Sequence, residues 1–423
     1  MTAATPRPEP SPRLLLASQL IFNLGFYSVV PFLAISMRQD FGMGAMAVGI
    51  VLGARTFAQQ GLFLLGGAAA DRWGARRVMI AGCFARITGY LLLLWAADFP
   101  VFLLGAVMTG MGGALFSPAL ESLVGAAEER RAALHPHKTT LFALLVIFGE
   151  IGAVAGPLLG SMLLQTGFGT ALLVGAGVFA VMAVVFSTFL PATTASAVET
   201  SPGHPAGGPP SGAWSCLREK RFGAFAAFYG VNLFAYNQLY FGLPIELERS
   251  DAGLGALSAI FAYASILTIA LQWPIARLVK RKGAGAALAA GFTVQALGFA
   301  TMAAMAAIPP PAAFPALPAF LLVTALALGH MCVAPVAMDL VLEFAAGRPT
   351  GAYYGLLASC GGTMVLLGNV VLATLYEQAT TPSLAAAPPW LVSAIFAASS
   401  AALIHRFLPR PIPAPRPQQL HPV

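Results

Sequence analysis

The stretch Gly67-Ala68-Ala69-Ala70-Asp71-Arg72-Trp73-Gly74-Ala75-Arg76-Arg77 decides the fold of this chain. It is a short charged turn between two apolar segments, residues 45–70 and 78–97. A helix that crosses a bilayer needs roughly 20 apolar residues, and both segments reach that length. The two glycines of the turn, Gly67 and Gly74, permit close backbone approach and a tight reversal. The stretch therefore predicts a short loop between two membrane helices, with its arginines at the cytoplasmic membrane surface.

The composition argues against a soluble globular protein. Of the 423 residues, 58% are hydrophobic and 9% are charged, whereas charged residues make up roughly 25% of a soluble domain. The net charge of +7 comes without a basic face, so it does not indicate nucleic-acid binding. The four cysteines show neither pairing nor metal-ligand spacing, and no nucleotide-binding or hydrolase motif is recognisable. We therefore expect a membrane protein that is not an enzyme and has no cofactor or metal.

Twelve apolar segments divide the chain into two sets of six. The segments are residues 14–37, 45–70, 78–97, 101–125, 139–165, 170–190, 222–245, 252–276, 284–306, 318–344, 352–377 and 389–408. Between the two sets the chain is rich in Pro, Gly, Ser and Thr, which is typical of a linker. The predicted organisation is a tail (1–13), an N-terminal six-helix bundle (14–190), a linker (191–221), a C-terminal six-helix bundle (222–408) and a tail (409–423).

Basic residues lie almost entirely on one side of the predicted bundles. Clusters at 72–77, 218–221 and 277–282 fall on that side, whereas the opposite side receives only Arg38 and Arg249. By the positive-inside rule the side with the clusters is cytoplasmic. Both termini and the linker are therefore predicted to lie in the cytoplasm.

The two halves of the chain carry similar residues at corresponding positions. Pro31 near the end of the first segment has a counterpart in Pro244, and Pro118 in the fourth segment has one in Pro335. Repeated halves are typical of secondary transporters, in which the substrate site lies between the halves. The sequence thus predicts an all-α integral membrane protein with twelve transmembrane helices in two pseudo-symmetric six-helix bundles.

The opening turn resembles the loop between helices 2 and 3 of the major facilitator superfamily, whose pattern reads G-x-L-a-D-r-x-G-r-[rk]. The matching positions are Gly67, Asp71, Arg72, Gly74 and Arg76. The resemblance implies the major facilitator fold and alternating access, with helices 1, 4, 7 and 10 lining the cavity. It also implies that these residues act with Glu121 as a latch at the cytoplasmic gate, for which we expect Glu121 to pair with Arg72 or Arg76.

A second motif lies in the fifth segment, at Gly152, Gly156, Pro157 and Gly160. It resembles the antiporter motif of the superfamily's efflux members, g-x-x-x-G-P-x-x-G-G, and this resemblance favours efflux over uptake. Glycines four residues apart form a smooth helix face for close packing, and a proline favours a bend. A simple packing seam is the alternative interpretation.

Glu150 is predicted to lie near the bilayer midplane, on the order of 16 Å inside its helix. A carboxylate at that depth is costly unless it is paired, hydrated or protonated. We therefore expect Glu150 to carry the coupling proton or to contact the substrate. The alternative is a structural ion pair with Arg55 or Arg86. The other proton-coupling candidates are His330 and Asp339. A lone histidine in a membrane helix more often has only a packing role, and Asp339 is also a candidate for the cytoplasmic gate.

Polar side chains at helical spacing are the substrate-contact candidates. Asn interleaved with Tyr on one stripe of the seventh segment is costly toward lipid, so the stripe is expected to face the cavity. Aromatic packing in the core or at the membrane interface is the alternative. The candidates are Asn23, Tyr27, Arg55, Gln59, Gln60, Tyr229, Asn232, Tyr236 and Tyr240.

The resemblance implies a transporter of the bacterial multidrug-exporter type in the inner (plasma) membrane. It would act as a monomer in the lipid bilayer and exchange protons for small amphipathic compounds or drugs. Two alternatives stay open. One is a proton-coupled importer of a sugar, amino acid or organic acid, and the other is a transporter-like receptor or scaffold without net flux. A flux assay across a membrane with an imposed gradient separates the three.

Overall fold

The computed structural model describes residues 10–134, 141–190, 215–250, 252–345, 351–379 and 381–409. The predicted linker over 191–214 and the predicted tails over 1–9 and 410–423 lie outside these ranges. Every regular element within them is a helix. The α-helices are α1 (Pro12–Tyr27), α2 (Val30–Gln39), α3 (Ala45–Gly61), α4 (Phe63–Trp73), α5 (Ala75–Leu94), α6 (Phe99–Leu134), α7 (Leu141–Leu164), α8 (Phe168–Phe189), α9 (Ser215–Arg218), α10 (Lys220–Asn237), α11 (Gly242–Arg249), α12 (Gly253–Lys282), α13 (Ala284–Ala306), α14 (Leu317–Ala345), α15 (Gly351–Tyr376) and α16 (Pro388–Leu403).

Eleven helical spans in the described residues are long and apolar enough to cross a membrane. They correspond to the predicted segments except the seventh, residues 222–245. In that place the structure has two shorter helices, α10 and α11, which together cover residues 220–249. The second of them carries Glu246, Glu248 and Arg249 within eight residues, and these charges lower its hydropathy. The region that sequence analysis treated as one apolar helix is therefore an interrupted and partly charged one.

Two interruptions occupy equivalent places in the two halves. Helix α1 stops at Tyr27, and α2 resumes with Pro31 in its first turn. Helix α10 stops at Asn237, and Pro244 follows in the first turn of α11. Proline has no backbone N–H and clashes with the preceding turn, so a helix bends or restarts there. The two prolines noted in the sequence thus mark the same break in both halves.

Two glycines with positive φ set the corresponding helix junctions. Gly74 (φ +85°) separates α4 from α5, and Gly283 (φ +80°) separates α12 from α13. Only glycine adopts this backbone conformation without strain. The close backbone approach that we expected at Gly67 occurs at Gly66 instead. A Cβ on Gly66 would overlap the carbonyl oxygen of Ala114 in α6, whereas one on Gly67 meets only a side chain at 3.9 Å.

The two halves pack against each other mainly along α3 with α15 and along α7 with α12. A Cβ on Gly53 of α3 would lie 3.0 Å from the Cα of Leu366, so the helices touch backbone to backbone. The Ser359 hydroxyl donates to the Gly61 carbonyl at 3.1 Å, which extends the same seam. These contacts join residues about 300 positions apart in the chain and hold the halves side by side.

The bundle has two distinguishable ends, which we call the motif end, where Gly74 lies, and the Arg38 end. At the Arg38 end, Arg38 Nε lies 2.7 Å from Glu248 Oε2, so an ion pair joins α2 to α11. Glu377 at the end of α15 accepts a hydrogen bond at 3.3 Å from the backbone N–H of Met46, in the first turn of α3. Each of these contacts crosses between the halves. The structure is therefore closed at the Arg38 end.

Candidate functional site

The central polar region lies where α1, α7, α10 and α12 approach one another. Glu150 of α7 is half-buried and lies next to Ser265 of α12. It interacts electrostatically with the hydroxyls of Tyr27, Tyr236 and Tyr240. These side chains come from both halves of the chain. They form a group of one carboxyl and four hydroxyls at the boundary between the halves.

An aromatic wall surrounds this group. The ring of Tyr240 lies 5.3 Å from that of Phe261, and the ring of Tyr27 lies 6.5 Å from it. Tyr236 packs on the imidazole of His330 at 4.7 Å. Aromatic rings give a large apolar contact area, and tyrosines add a polar tip. The wall suits a ligand that is part apolar and part polar.

Asn232 does not face this region, although it shares the stripe with Tyr236. It is 1% exposed and lies inside the C-terminal half. Its Nδ2 is 3.0 Å from Nδ1 of His330, and its Oδ1 accepts from Gln295 Nε2 at 2.8 Å. Two bonding partners on other helices hold the amide there, so the expected orientation of Asn232 toward the cavity is corrected. His330 is bound to the same network.

Three further candidates contact neighbours other than the central group. Tyr229 is buried, and its ring stacks on Phe225 with the centroids 6.4 Å apart. Asn23 donates to the Gly149 carbonyl of α7 at 2.9 Å. Gln60 lies on the side of α3 that meets α15, where a Cβ on Gly362 would be 3.3 Å from the Gln60 Cβ. Asn23 and Gln60 therefore lie at contacts between helices, and Tyr229 packs along its own helix.

Arg55 and Arg86 lie together in the N-terminal half, and neither pairs with Glu150 among the described residues. Both guanidinium nitrogens Nη1 and Nη2 of Arg55 donate to Oε1 of Gln59, at 3.3 Å each. The Cζ of Arg55 lies 5.0 Å from the centre of the Phe26 ring. The alternative interpretation of Glu150 as a structural counter-ion therefore finds no support in this conformation.

Sequence analysis missed an amide network that crosses between the halves. Asn237 of α10 donates to the Thr56 hydroxyl of α3 at 3.1 Å. Asn369 of α15 donates to Oδ1 of Asn237 at 3.1 Å and accepts from Gln238 at 3.3 Å. A lone Asn in an apolar helix, as Asn369 is, was the available signal. Buried amides in a membrane protein need partners on other helices.

The glycines of the fifth segment pack directly on α1. A Cβ on Gly152 would lie 2.7 Å from the Leu20 carbonyl oxygen, and one on Gly156 would lie 2.5 Å from the Tyr27 Cβ. Gly160 contacts the backbone of Ser28 in the same way. The seam places α1, with Tyr27, against the helix that carries Glu150. Pro157 contributes its carbonyl, which accepts from the Ser258 hydroxyl of α12 at 3.1 Å.

The motif end shows no closed latch among the described residues. Arg76 donates to the Ser187 carbonyl at the end of α8, while Arg72 and Glu121 are exposed and form no ion pair there. The side chain of Asp71 lies outside the described part of the chain. Asp339 is likewise exposed at this end, remote from the central group. A latch built from Gly67, Asp71, Arg72, Gly74, Arg76 and Glu121 therefore stays a prediction.

Comparison with known proteins agrees with these features. A family model described as the Major Facilitator Superfamily matches residues 15–369. The chain is 31% identical over 378 residues to an uncharacterized MFS-type transporter, Rv0849, of Mycobacterium tuberculosis, covering 87% of this chain and 86% of the relative. It is 31% identical over 384 residues to the multidrug resistance protein MdtH of Klebsiella pneumoniae, covering 89% of each. It is 28% identical over 385 residues to MdtH of Escherichia coli, covering 90% of each.

Solved structures with the same arrangement of helices share little sequence with this chain. The crystal structure of the nucleoside transporter NupG superposes with a TM-score of 0.72 at 16% identity, covering 94% of this chain and 98% of that one. A POT family transporter in complex with 5-aminolevulinic acid superposes with a TM-score of 0.73 at 12% identity, covering 94% and 96%. At such low identity the likeness concerns the fold alone.

Proposed function

The chain belongs to the major facilitator superfamily of membrane transporters, and from this we propose that it exports small amphipathic compounds in exchange for protons. The substrate would bind in the central region between the halves. The two halves would then rock about that region, so that it opens first to one side of the membrane and then to the other. We assign the motif end to the cytoplasm, in accordance with the positive-inside rule.

The position of Glu150 is the observation that carries this proposal. It is half-buried beside tyrosines from both halves, at the boundary that must open and close. A carboxyl at such a place binds a proton in one state of the transporter and releases it in another, because hydration and neighbours change as the halves move. Tyr27, Tyr236 and Tyr240 would contact the substrate around it. His330 is held by Asn232, which makes it a weaker candidate for the proton carrier.

Efflux is favoured over uptake by two features. One is the glycine seam of α7 on α1, which carries the antiporter-like residues from Gly152 to Gly160. The other is the likeness to relatives named multidrug resistance proteins, at about 30% identity over almost the whole chain. In the structure the Arg38 end is closed, which corresponds to a state that would load substrate from the cytoplasm.

The test is transport by the purified full chain in proteoliposomes loaded with a fluorescent amphipathic dye such as rhodamine 123. A proton gradient directed into the liposomes is imposed, so that molecules oriented for export should move dye outward. Dye movement and internal pH are followed together. Dye movement against the proton flow, abolished by a protonophore, is the expected result. Movement of dye and protons in the same direction would indicate an importer. Dye binding with no movement under any gradient would indicate a receptor or scaffold.

A further inference from the structure

Arg86 is a fully buried cation without a carboxylate partner among the described residues. It is 0% exposed, its Nε, Nη1 and Nη2 atoms form no regular hydrogen bond to the described part of the chain, and its polar neighbour is the neutral hydroxyl of Tyr90. Its guanidinium carbon lies 4.4 Å from the centre of the Phe22 ring, 5.1 Å from that of Phe26 and 5.2 Å from that of Phe179. Aromatic faces attract a cation but do not replace its lost hydrogen bonds. The molecule therefore keeps a costly charge in its interior.

Arg55 lies on the same aromatic ring. The Cζ atoms of Arg55 and Arg86 are 5.0 Å and 5.1 Å from the centre of Phe26. Gln59 lies between the two arginines. It accepts from Arg55, and a Cβ on Gly113 would lie 3.1 Å from the Gln59 Cγ and 3.0 Å from Nη2 of Arg86. Two guanidinium groups and one amide thus form a compact cluster of donors, which we call the arginine cluster (Arg55, Gln59 and Arg86).

No described carboxylate neutralises the arginine cluster. The ion pairs in the described residues are Arg38 with Glu248 and Arg249 with Glu246, both remote from it. Like charges so close repel each other, and an unpaired charge in the membrane interior is unfavourable. Functional ligands explain such clusters better than packing does, because a neutral side chain would fill the same space at lower cost.

The other half of the molecule provides that neutral side chain. Arg86 lies 12 residues after Gly74, and Gln295 lies 12 residues after Gly283, the corresponding helix junction. A glycine of the next helix packs on the Cγ atom of each. Gln295 is neutral, and its Nε2 donates to Asn232. The fold therefore accepts an uncharged amide at this position in the C-terminal half. The N-terminal half has the positively charged Arg86 at the corresponding position.

We propose that the arginine cluster binds an anionic group, a carboxylate or sulfonate, carried by the amphipathic substrate. This inference rests on the proposed transport function and names a chemical feature of its substrate. Arg55, which is 5% exposed, would contact the anion directly with its paired N–H groups. Arg86, fully buried behind Phe26, would act as a positioning residue that adds positive potential.

The rest of such a substrate would extend along the aromatic wall. Arg55 interacts electrostatically with Tyr27 and Tyr240, and the same two tyrosines interact with Glu150. A ligand anchored at Arg55 therefore passes the tyrosines and reaches Glu150 with its opposite end. A basic group at that end competes with the proton for Glu150, so the anion site and proton exchange are compatible.

The experiment compares two probes that differ in one group. Rhodamine 110 carries a free carboxylate, and rhodamine 123 is its methyl ester. Their binding to the purified full chain in nanodiscs is measured by fluorescence anisotropy without any gradient. We expect rhodamine 110 to bind about tenfold more tightly. Arg55→Gln should remove that preference by weakening rhodamine 110 alone, and Arg86→Gln should reduce it.

Two controls isolate the cluster. Arg77→Gln removes an exposed guanidinium from the same helix as Arg86 and should leave the preference unchanged. Thermal unfolding of each variant identifies a loss of fold, and Arg55→Lys, which keeps the charge, should restore part of the preference. The binding buffer contains gluconate as its anion. Replacing it by chloride or sulfate tests free inorganic anions, which should compete only weakly with rhodamine 110.

Equal binding of the two probes to the wild-type protein would overturn the proposal, as would a preference that survives Arg55→Gln in a folded protein. Strong binding of chloride or sulfate without any preference for rhodamine 110 would also overturn it. Because no gradient is used, the outcome is independent of transport. Equal binding with intact efflux would refute only the anion site, and a retained preference without flux would refute only the proposed function.

Discussion

Glu150 and His330 show how neighbours decide what a titratable side chain does. Both lie in apolar helices and both were proton-coupling candidates. His330 is bound through Nδ1 to Asn232, which in turn accepts from Gln295, so its environment is a closed network. Glu150 has Ser265 and three tyrosines around it, at the boundary between the two halves. We therefore propose that Glu150 exchanges the proton and that His330 has a structural role.

Glu150→Gln should abolish proton-driven efflux and leave substrate binding in place, because the amide keeps the size of the side chain and cannot exchange a proton. No described cation pairs with Glu150, so the free energy of unfolding should change by less than about 1 kcal/mol. Flux and thermal stability are measured on the same preparation. Asp40→Asn, which neutralises an exposed carboxyl at the Arg38 end, is the control. A coupled, stable Glu150→Gln protein would contradict the assignment.

Asn232→Leu should destabilise the C-terminal half by about 1–3 kcal/mol, since Gln295 and His330 would each lose a buried hydrogen bond. Asn232→Leu combined with His330→Leu and Gln295→Leu should recover part of that loss, because no unpaired polar group is left. The measurement is thermal unfolding in one detergent with rhodamine 123 binding alongside. A large drop in binding without loss of stability would instead place Asn232 in the substrate site.

At the scale of elements, the seam between α1 and α7 positions the site. Gly152, Gly156 and Gly160 let the two backbones approach so closely that Tyr27 comes to lie near Glu150. The atoms facing Gly152 and Gly156 are backbone or Cβ atoms, which cannot rotate away, and Gly160 faces the Ser28 backbone and the Phe32 ring. The antiporter-like pattern of the sequence thus sets the distance between α1 and α7.

Gly156→Ala should push α1 away from α7, because the added Cβ would lie 2.5 Å from the Tyr27 Cβ. We expect a loss of about 1–3 kcal/mol in stability and a fall in transport larger than the fall in protein level. Gly177→Ala on α8 is the matched control, since a Cβ there meets nothing within 4 Å. Transport and unfolding temperature are compared for both. Equal behaviour of the two variants would remove the seam from the mechanism.

For the whole molecule, alternating access requires that the contacts closing one end be weak enough to break in each cycle. The Arg38–Glu248 ion pair meets this requirement, because its side chains are 19% and 41% exposed and exposed pairs contribute up to about 1 kcal/mol. The hydrogen bond from the Met46 N–H to Glu377 and the one from Asn237 to Thr56 are further breakable contacts across the halves.

Arg38→Glu should shift the equilibrium toward states open at the Arg38 end, by up to about fivefold for the loss of one exposed pair. The reversed pair, Arg38→Glu with Glu248→Arg, should restore the wild-type distribution. Spin labels on α2 and α11 report the distance between the halves at this end. An unchanged distance distribution in Arg38→Glu would show that the amide network and the helix seams alone close it.

Much of this architecture was predictable because membrane insertion is decided segment by segment. Apart from Arg86, residues 78–97 are apolar over a bilayer's thickness whatever surrounds them, and the charged turn before them has no other stable place than the membrane surface. Eleven of the twelve expected spans are present in the described residues, and the family follows from residues within single helices and turns. The seventh segment differs because its helix is interrupted between Asn237 and Gly242, and because its second part, α11, carries Glu246, Glu248 and Arg249.

The sequence by itself determined the class, the helices and the family of this protein, since each depends on local hydropathy, on charge at helix ends and on short motifs. Only the tertiary structure decided where the polar side chains lie. It placed Asn232 inside one half, set Arg86 among three phenylalanines and joined Asn237 to Thr56, 181 residues away. The physical reason is that a polar group in a membrane interior is satisfied by whichever helix packs against it, and that neighbour is chosen by the shapes of surfaces far apart in the chain.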